Sequence, residues 1–281
     1  MYKQCSQVHR RRVSVIIPTY NSVATLEACM RSLNVQGHHV HEIIVADNFS
    51  TDSTVDLARR WETIVLPESG RLGNAGSAKN AGLLNSCGDY VLFLDSDEIL
   101  EKTVVEECVE LCEREDVGMV KIPLRFVGKG YWSSSSALWR NCHYAISKRT
   151  VGNFPRFFER KHISSGAFNE NLVWGEDWEL YMRMKALDVG EAYCKSCMIH
   201  FEPSSLKKIL LKHLHYARAI PTFSYSVDNR LYLKLIRNTY LAFREAMANP
   251  PNRPYLLSGC FLLVCFKVIA MMIGLVRSWL T

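Results

Sequence analysis

The chain has 281 residues, 48% hydrophobic and 22% charged, which suits one or two folded domains with a real core. Its net charge of +6 is uneven: residues 204–281 hold eleven Lys and Arg against two Asp and Glu, leaving the first 203 at −3. No zinc-finger spacing or aromatic-rich RNA motif is present, so nucleic acid recedes and an acidic lipid surface becomes the expected partner of the basic end.

Ten cysteines are scattered without a secretory framework. Cys29, Cys108, Cys112, Cys260 and Cys265 sit inside apolar patterns, where free Cys acts as a small hydrophobe. Cys194 and Cys197 lack the second pair that a zinc site needs. Arg10, Arg11 and Arg12 precede an apolar run that is too short for a signal peptide and meets Pro18. A reduced cytosolic body is expected.

In chain order, residues 13–17 predict a first strand closed by Pro18-Thr19-Tyr20-Asn21, and Leu26, Cys29, Met30 and Leu33 then recur at helical spacing. Residues 42–46 predict a second strand, followed by the capping-rich stretch Asp47 to Thr54 and a helix through Val55, Leu57 and Ala58. A short strand over 63–66, a glycine-bearing loop over 70–76 and a helix over 77–86 lead into the apolar run 91–94. This alternation predicts an α/β doubly wound sheet.

Next come a helix over 100–114 and a strand over 118–126. Residues 128–150 carry a serine run at 133–136 and little periodicity, the mark of a long substrate loop. After a strand over 154–159, residues 168–178 open a helix through Leu180, Met184 and Leu187. A strand over 191–201 closes the sheet near His200.

From Ser205 the pattern changes. Leu206, Ile209, Leu210, Leu214 and Ala217 share one helical face while Lys208, Lys212 and His215 lie opposite, which suits an anionic membrane surface. A second basic helix is expected over about 230–247, with packing on the folded body as the alternative. Pro250, Pro251 and Pro254 break the chain before residues 255–276, apolar except for Lys267. At about 1.5 Å per residue this segment could cross a bilayer, and a mid-span Lys would cost about 2.5–3.5 kcal/mol. A hydrophobic membrane helix is expected there, spanning or lying in the plane, with the catalytic body on the cytoplasmic side.

The chain is organised around Val91-Leu92-Phe93-Leu94-Asp95-Ser96-Asp97-Glu98. An apolar run buried on both faces belongs to a parallel sheet, and such sheets bind ligands beyond the carboxyl ends of their strands. Asp95 and Asp97 stand at such a tip, where carboxylates and a diphosphate could hold Mg²⁺ or Mn²⁺. An acidic turn capping the helix from Leu100 is the competing reading.

Four features coincide: Pro18-Thr19-Tyr20-Asn21 after the first strand, Asp47 and Asp52 after the second, Gly73-x-x-Gly76-x-x-Lys79-Asn80, and Asp95-x-Asp97. With Glu176-Asp177 downstream, residues 12 to 203 resemble a family 2 glycosyltransferase of the GT-A fold. The resemblance implies a catalytic domain over 1–203, its nucleotide-sugar half about 12–98 and its acceptor half about 99–203. Basic amphipathic helices over 204–249 and the hydrophobic helix over 255–276 would follow.

By the resemblance, Pro18, Tyr20 and Asn21 line the nucleotide pocket, Asp47 accepts hydrogen bonds from the base, and Asp95 and Ser96 contact the nucleotide-sugar. Lys79 and Asn80 resemble an Ala-Arg-Asn triplet in which Lys keeps a phosphate-attracting charge but loses the guanidinium fork. Phe49 stands where Gly is usual. Asp97, with Asp95, is the implied metal ligand, and His200 a third. Asp177, supported by Glu176, is the implied base, and Trp174 and Trp178 would bind the acceptor; an N-cap pair is the bland reading of Glu176-Asp177.

The implied activity is inverting transfer from a UDP- or GDP-linked sugar to a hydroxyl of a lipid-linked or other membrane-borne glycan. A polyprenyl phosphate is already anionic and has little need of a base, so a polyprenyl-phosphate sugar synthase is the alternative. A nucleotidylyltransferase would carry a glycine-rich basic loop after the first strand, where Pro18-Thr19-Tyr20-Asn21 stands. The Gly-x-Gly-x-x-Gly of a dinucleotide fold is absent there too.

Overall fold

The computed structural model describes residues 11–38, 40–147, 154–163, 166–215, 230–248 and 254–280. Strand β1 (Val13–Thr19) lies in the middle of a mixed sheet because its side chains are apolar on both faces. Val13, Val15 and Ile17 point into one layer with Leu26, Cys29 and Met30 of helix α1 (Leu26–Asn34). Ile16 points the other way, onto Leu83 of helix α3 (Ala75–Leu84).

Strands β2 (Val40–Asp47) and β3 (Ile64–Leu66) extend the sheet on one side in parallel, with helix α2 (Thr54–Arg59) between them in sequence. Strand β4 (Tyr90–Phe93) pairs in parallel on the other side of β1. The chain next forms β5 (Glu98–Leu100), α4 (Val104–Glu115), β6 (Met119–Lys121), β7 (Leu124–Val127), α5 (Tyr131–Ser147) and β8 (Pro155–Glu159). Helix α6 (Glu176–Ala186), β9 (Glu191–Tyr193) and β10 (Met198–Phe201) complete the body. The seven-stranded order is β3-β2-β1-β4-β8-β6-β9, and β5-β10-β7 form a second, three-stranded sheet.

Strand β8 runs antiparallel to β4, with Leu92 opposite Phe157. Its first residues therefore reach the end of β4 that carries Asp95, and Arg156 arrives at the rim shared by β1, β2 and β4.

Several expected elements differ. The acidic turn at Asp95–Asp97 leads into strand β5, so it caps no helix; α4 starts only at Val104. The strand expected over 118–126 is divided at Ile122-Pro123 into β6 and β7, which join different sheets, and that over 191–201 likewise becomes β9 and β10. Within the loop expected over 128–150, residues 131–147 form the 17-residue helix α5. Its apolar period is hidden because Ser133, Ser135 and Ser136 are the inward residues, with Ser136 donating to Glu202.

Helix α7 covers 206–215, and α8 (Arg230–Ala248) and α9 (Leu256–Leu280) pack on α5. Among the described residues no helix is long and apolar enough to cross a membrane, so the span expected over 255–276 is not borne out. Lys267 interrupts the run and turns inward, its Nζ 3.9 Å from the centroid of the Trp139 ring. Leu256, Cys260, Leu263 and Ala270 are buried with it, while Phe261, Leu262, Val268, Ile269, Met272 and Ile273 are exposed on the other face. Ala217 lies outside the described residues.

Candidate active site

Three strand ends build the first wall. Asn21 follows β1 in the left-handed region at φ 50°, which lets its N–H bond Ser50 Oγ at 2.8 Å and its Oδ1 accept from Thr51 N–H at 2.8 Å. Tyr20 beside it is exposed, and Pro18 pairs with Ala46 of β2. Asp47 is buried: its Oδ1 accepts from Thr19 Oγ1 at 2.8 Å and Ser50 Oγ at 2.6 Å, and its Oδ2 from Ser50 N–H at 2.9 Å. A carboxylate offers about four acceptor directions, so one remains for an incoming N–H.

Phe49 holds φ 64°, the conformation a glycine would take there. The turn is thus kept at a cost of about 1–2 kcal/mol. Asn48 ties it to the next loop, donating to the carbonyls of Ser69 and Arg71 at 2.8 Å each and accepting from Gly73 N–H.

The second wall is a charge network. Lys79 of α3 is buried, its Nζ 2.7 Å from Asp177 Oδ1 and 3.1 Å from Glu176 Oε1. Gly76 lies at this approach of α3 to α6, where an added Cβ would sit 3.3 Å from Phe168 Cβ and 3.4 Å from Glu176 Cγ. Asn80 is buried too, bonded to both the N–H and the carbonyl of Phe168 and to Glu170. Lys79 and Asn80, expected at the nucleotide-sugar, stand here beside the two carboxylates of α6 and against the loop that delivers them.

Arg156, missing from the sequence-derived set, joins both walls. Its Nη2 lies 3.2 Å from Asp95 Oδ2 and 3.7 Å from Glu98 Oε1, and its Nη1 3.8 Å from Asp177 Oδ2. The only sequence sign was an Arg inside the apolar strand Pro-Arg-Phe-Phe-Glu. Burial pushes Asp95 upward, but Arg156 and Lys79 outweigh it and hold the carboxyl well below its ordinary range. Burial raises Glu98 to about 7 against the pull of Arg156, and raises Glu176 against that of Lys79.

Asp97 is half-buried and faces His200, whose Nδ1 lies 3.4 Å from Asp97 Oδ1 and 3.4 Å from Glu98 Oε1. Burial lowers the His200 pKa to about 4, keeping the imidazole neutral. Among the described residues no three His, Cys, Asp or Glu side chains converge as a ready metal cage. The donor set instead fits an ion bound by one or two carboxylates that completes its shell with ligand phosphates. Ser96 Oγ bonds Ser22 Oγ at 2.8 Å, and so bridges the ends of β4 and β1. Trp178 packs edge-on against Phe154 and Tyr181, and Trp174 is half-buried at the start of the α6 loop.

The family model described as glycosyl transferase family 2 matches residues 14–168. The chain belongs to that family. The glycosyltransferase AglE of Haloferax volcanii is 28% identical over 194 residues, 63% of this chain and 62% of AglE. This family 2 member thus spans less than two thirds of that relative, and 22% of the poly(ribitol-phosphate) β-N-acetylglucosaminyltransferase TarS of Staphylococcus aureus, to which it is 28% identical over 126 residues. Its fold is shared with the mannosyltransferase PcManGT of Pyrobaculum calidifontis, solved with GDP-Man and Mn²⁺, at a TM-score of 0.63 and 19% identity over 97% of this chain and 87% of that one. TarS 1–349 with UDP-GlcNAc matches at a TM-score of 0.56 and 19% identity, over 94% and 89%.

Proposed function

We propose that this chain transfers a sugar from a nucleoside-diphosphate sugar to a hydroxyl group, inverting the anomeric carbon. The observation that carries the reading is Asp177: Oδ1 is fixed by Lys79, while Oδ2 accepts no hydrogen bond from the described residues and lies 3.8 Å from Nη1 of Arg156, which also pairs with Asp95. Oδ2 takes the proton of the acceptor hydroxyl as that oxygen bonds to the anomeric carbon. The carbon–oxygen bond to the diphosphate breaks on the opposite face, and its electron pair leaves with the diphosphate. A sugar hydroxyl needs such a base and a polyprenyl phosphate does not, which favours the glycan acceptor over the polyprenyl-phosphate reading.

PcManGT and TarS, solved with GDP-Man and with UDP-GlcNAc, support a nucleotide-sugar donor here. Asp97 and Asp95 would hold Mg²⁺ or Mn²⁺, with His200 beside Asp97, and the ion when bound neutralises the leaving diphosphate. The exposed apolar row of α9 and the basic excess of 204–281 support an acceptor carried on a membrane, as a lipid-linked or other membrane-borne glycan. Calorimetric titration with UDP and GDP, each with and without Mn²⁺, tests the donor site. Metal-dependent binding of one nucleotide is the expected result; binding of neither by the folded chain overturns the reading.

A further inference from the structure

Arg156 carries more than an ion pair needs. Its side chain is 11% exposed, and Nη1 is shut off from solvent with no hydrogen-bond partner among the described residues. A buried donor on a charged group left unmade is costly, and native structures keep few of them. Nη2 is occupied by Asp95 and Glu98, so Nη1 is the part of the guanidinium with unused capacity.

The reaction places the missing partner, and this step rests on the transferase reading above. The acceptor oxygen approaches from Asp177, and the diphosphate departs toward the strand tip of Asp95 and Asp97. The transferred ring must then lie between Asp95 and Asp177, and Arg156 touches both. We propose that Arg156 is a donor-sugar contact, its Nη1–H donating to a hydroxyl oxygen of the transferred ring while Nη2 keeps Asp95 in place. It would thereby select the sugar. A ring with its hydroxyl at that position satisfies the buried donor, and a ring without it leaves a guanidinium N–H unpaired in a dry site.

Lys79 does not compete for this role, since Glu176 and Asp177 already share its ammonium. Nη1 is the nitrogen nearer the base, 3.8 Å from Asp177 Oδ2, while Nη2 faces the strand tip that would hold the diphosphate.

The test uses the full chain as wild type, Arg156→Gln and Arg156→Lys. Arg156→Lys keeps the charge that separates Asp95 from Asp177 but lacks the second nitrogen, and so guards against misfolding from carboxylate repulsion. Calorimetry measures UDP, UDP-GlcNAc, GDP and GDP-mannose, and nucleotide release measures turnover of whichever conjugate the wild type accepts. Singly deoxygenated versions of that conjugate are then compared. The expected result is nucleoside diphosphate affinity within about threefold of wild type in Arg156→Lys, which keeps a cation beside Asp95, with kcat/KM on the conjugate about 10- to 100-fold lower in both variants. One deoxy donor should lose a similar factor with the wild type and none with either variant. Equal discrimination by wild type and variants at every ring position overturns the proposal, as does a fall in nucleoside diphosphate affinity that matches the fall for the conjugate. If the folded wild type binds neither UDP nor GDP, the transferase reading itself fails and this proposal falls with it.

Discussion

Lys79 Nζ lies 2.7 Å from Asp177 Oδ1 and 3.1 Å from Glu176 Oε1, with 2% of its side chain exposed. One ammonium thus neutralises two adjacent carboxylates at the start of α6, where Gly175 at φ 84° turns the chain into the helix. The Lys79 pKa is raised despite burial, because Asp177 and Glu176 favour the charged form.

Removing that cation should cost both fold and activity. Lys79→Met leaves buried Glu176 and half-buried Asp177 without their shared partner, and a broken buried pair typically costs about 3–5 kcal/mol. Thermal melting at pH 7 should show the loss, and nucleotide release should fall to background. Lys79→Met with a wild-type melting curve would remove the pairing from the stability argument.

Asp177→Asn should abolish transfer and leave metal-dependent nucleotide binding intact. The amide keeps the shape beside Lys79 but offers no basic oxygen. Calorimetry with the nucleotide and a turnover assay separate the two effects; unchanged turnover would strip Asp177 of the base role.

The alternating first half was legible because β1 and β4 are apolar on both faces and end in polar clusters, so the strand tips and Asp47, Asp95 and Asp97 could be read directly. Asp177 was legible through its Glu-Asp-Trp setting. What sequence alone could not give was direction within a buried charge. Lys79 sits in a phosphate-binding motif, and only the fold shows that Asp177 and Glu176 stand beside it. Arg156 was hidden because a single Arg in a five-residue strand has no period. Helix α5 was hidden because its inner face is serine, whose hydroxyls meet Glu202 where a hydrophobic stripe would normally stand.

Lys267 makes stability rise with pH. Burial, reinforced by the positive field of Arg140 and opposed by Glu202, lowers its pKa to about 7 from an ordinary value near 10.5. Between those values the unfolded chain binds a proton that the folded chain does not, so unfolding is favoured at the acid end of this window and the fold gains as pH rises through it. His143 and His213, both pushed down to about 3 chiefly by burial, stay neutral there and add nothing to the slope. Lys267→Met should flatten this rise and stabilise the protein at pH 7, which melting curves at pH 7 and pH 9 compare directly.

The exposed face of α9 should bind anionic bilayers without crossing them. Phe261, Leu262, Val268, Ile269, Met272 and Ile273 recur at helical spacing over about 18 Å, enough to lie along a headgroup boundary. Residues 204–281 carry nine net positive charges, most of them before α9, so an anionic lipid surface is attracted to this end of the chain. Flotation with vesicles of phosphatidylcholine alone and with about one third phosphatidylserine should show binding only to the anionic set. Phe261→Glu combined with Ile269→Glu should abolish it while leaving nucleotide binding unchanged, because neither residue contacts the strand tips. Retention of the double variant on vesicles would move the attachment to the basic helices α7 and α8, and binding to neutral vesicles alone would remove the electrostatic part of the argument.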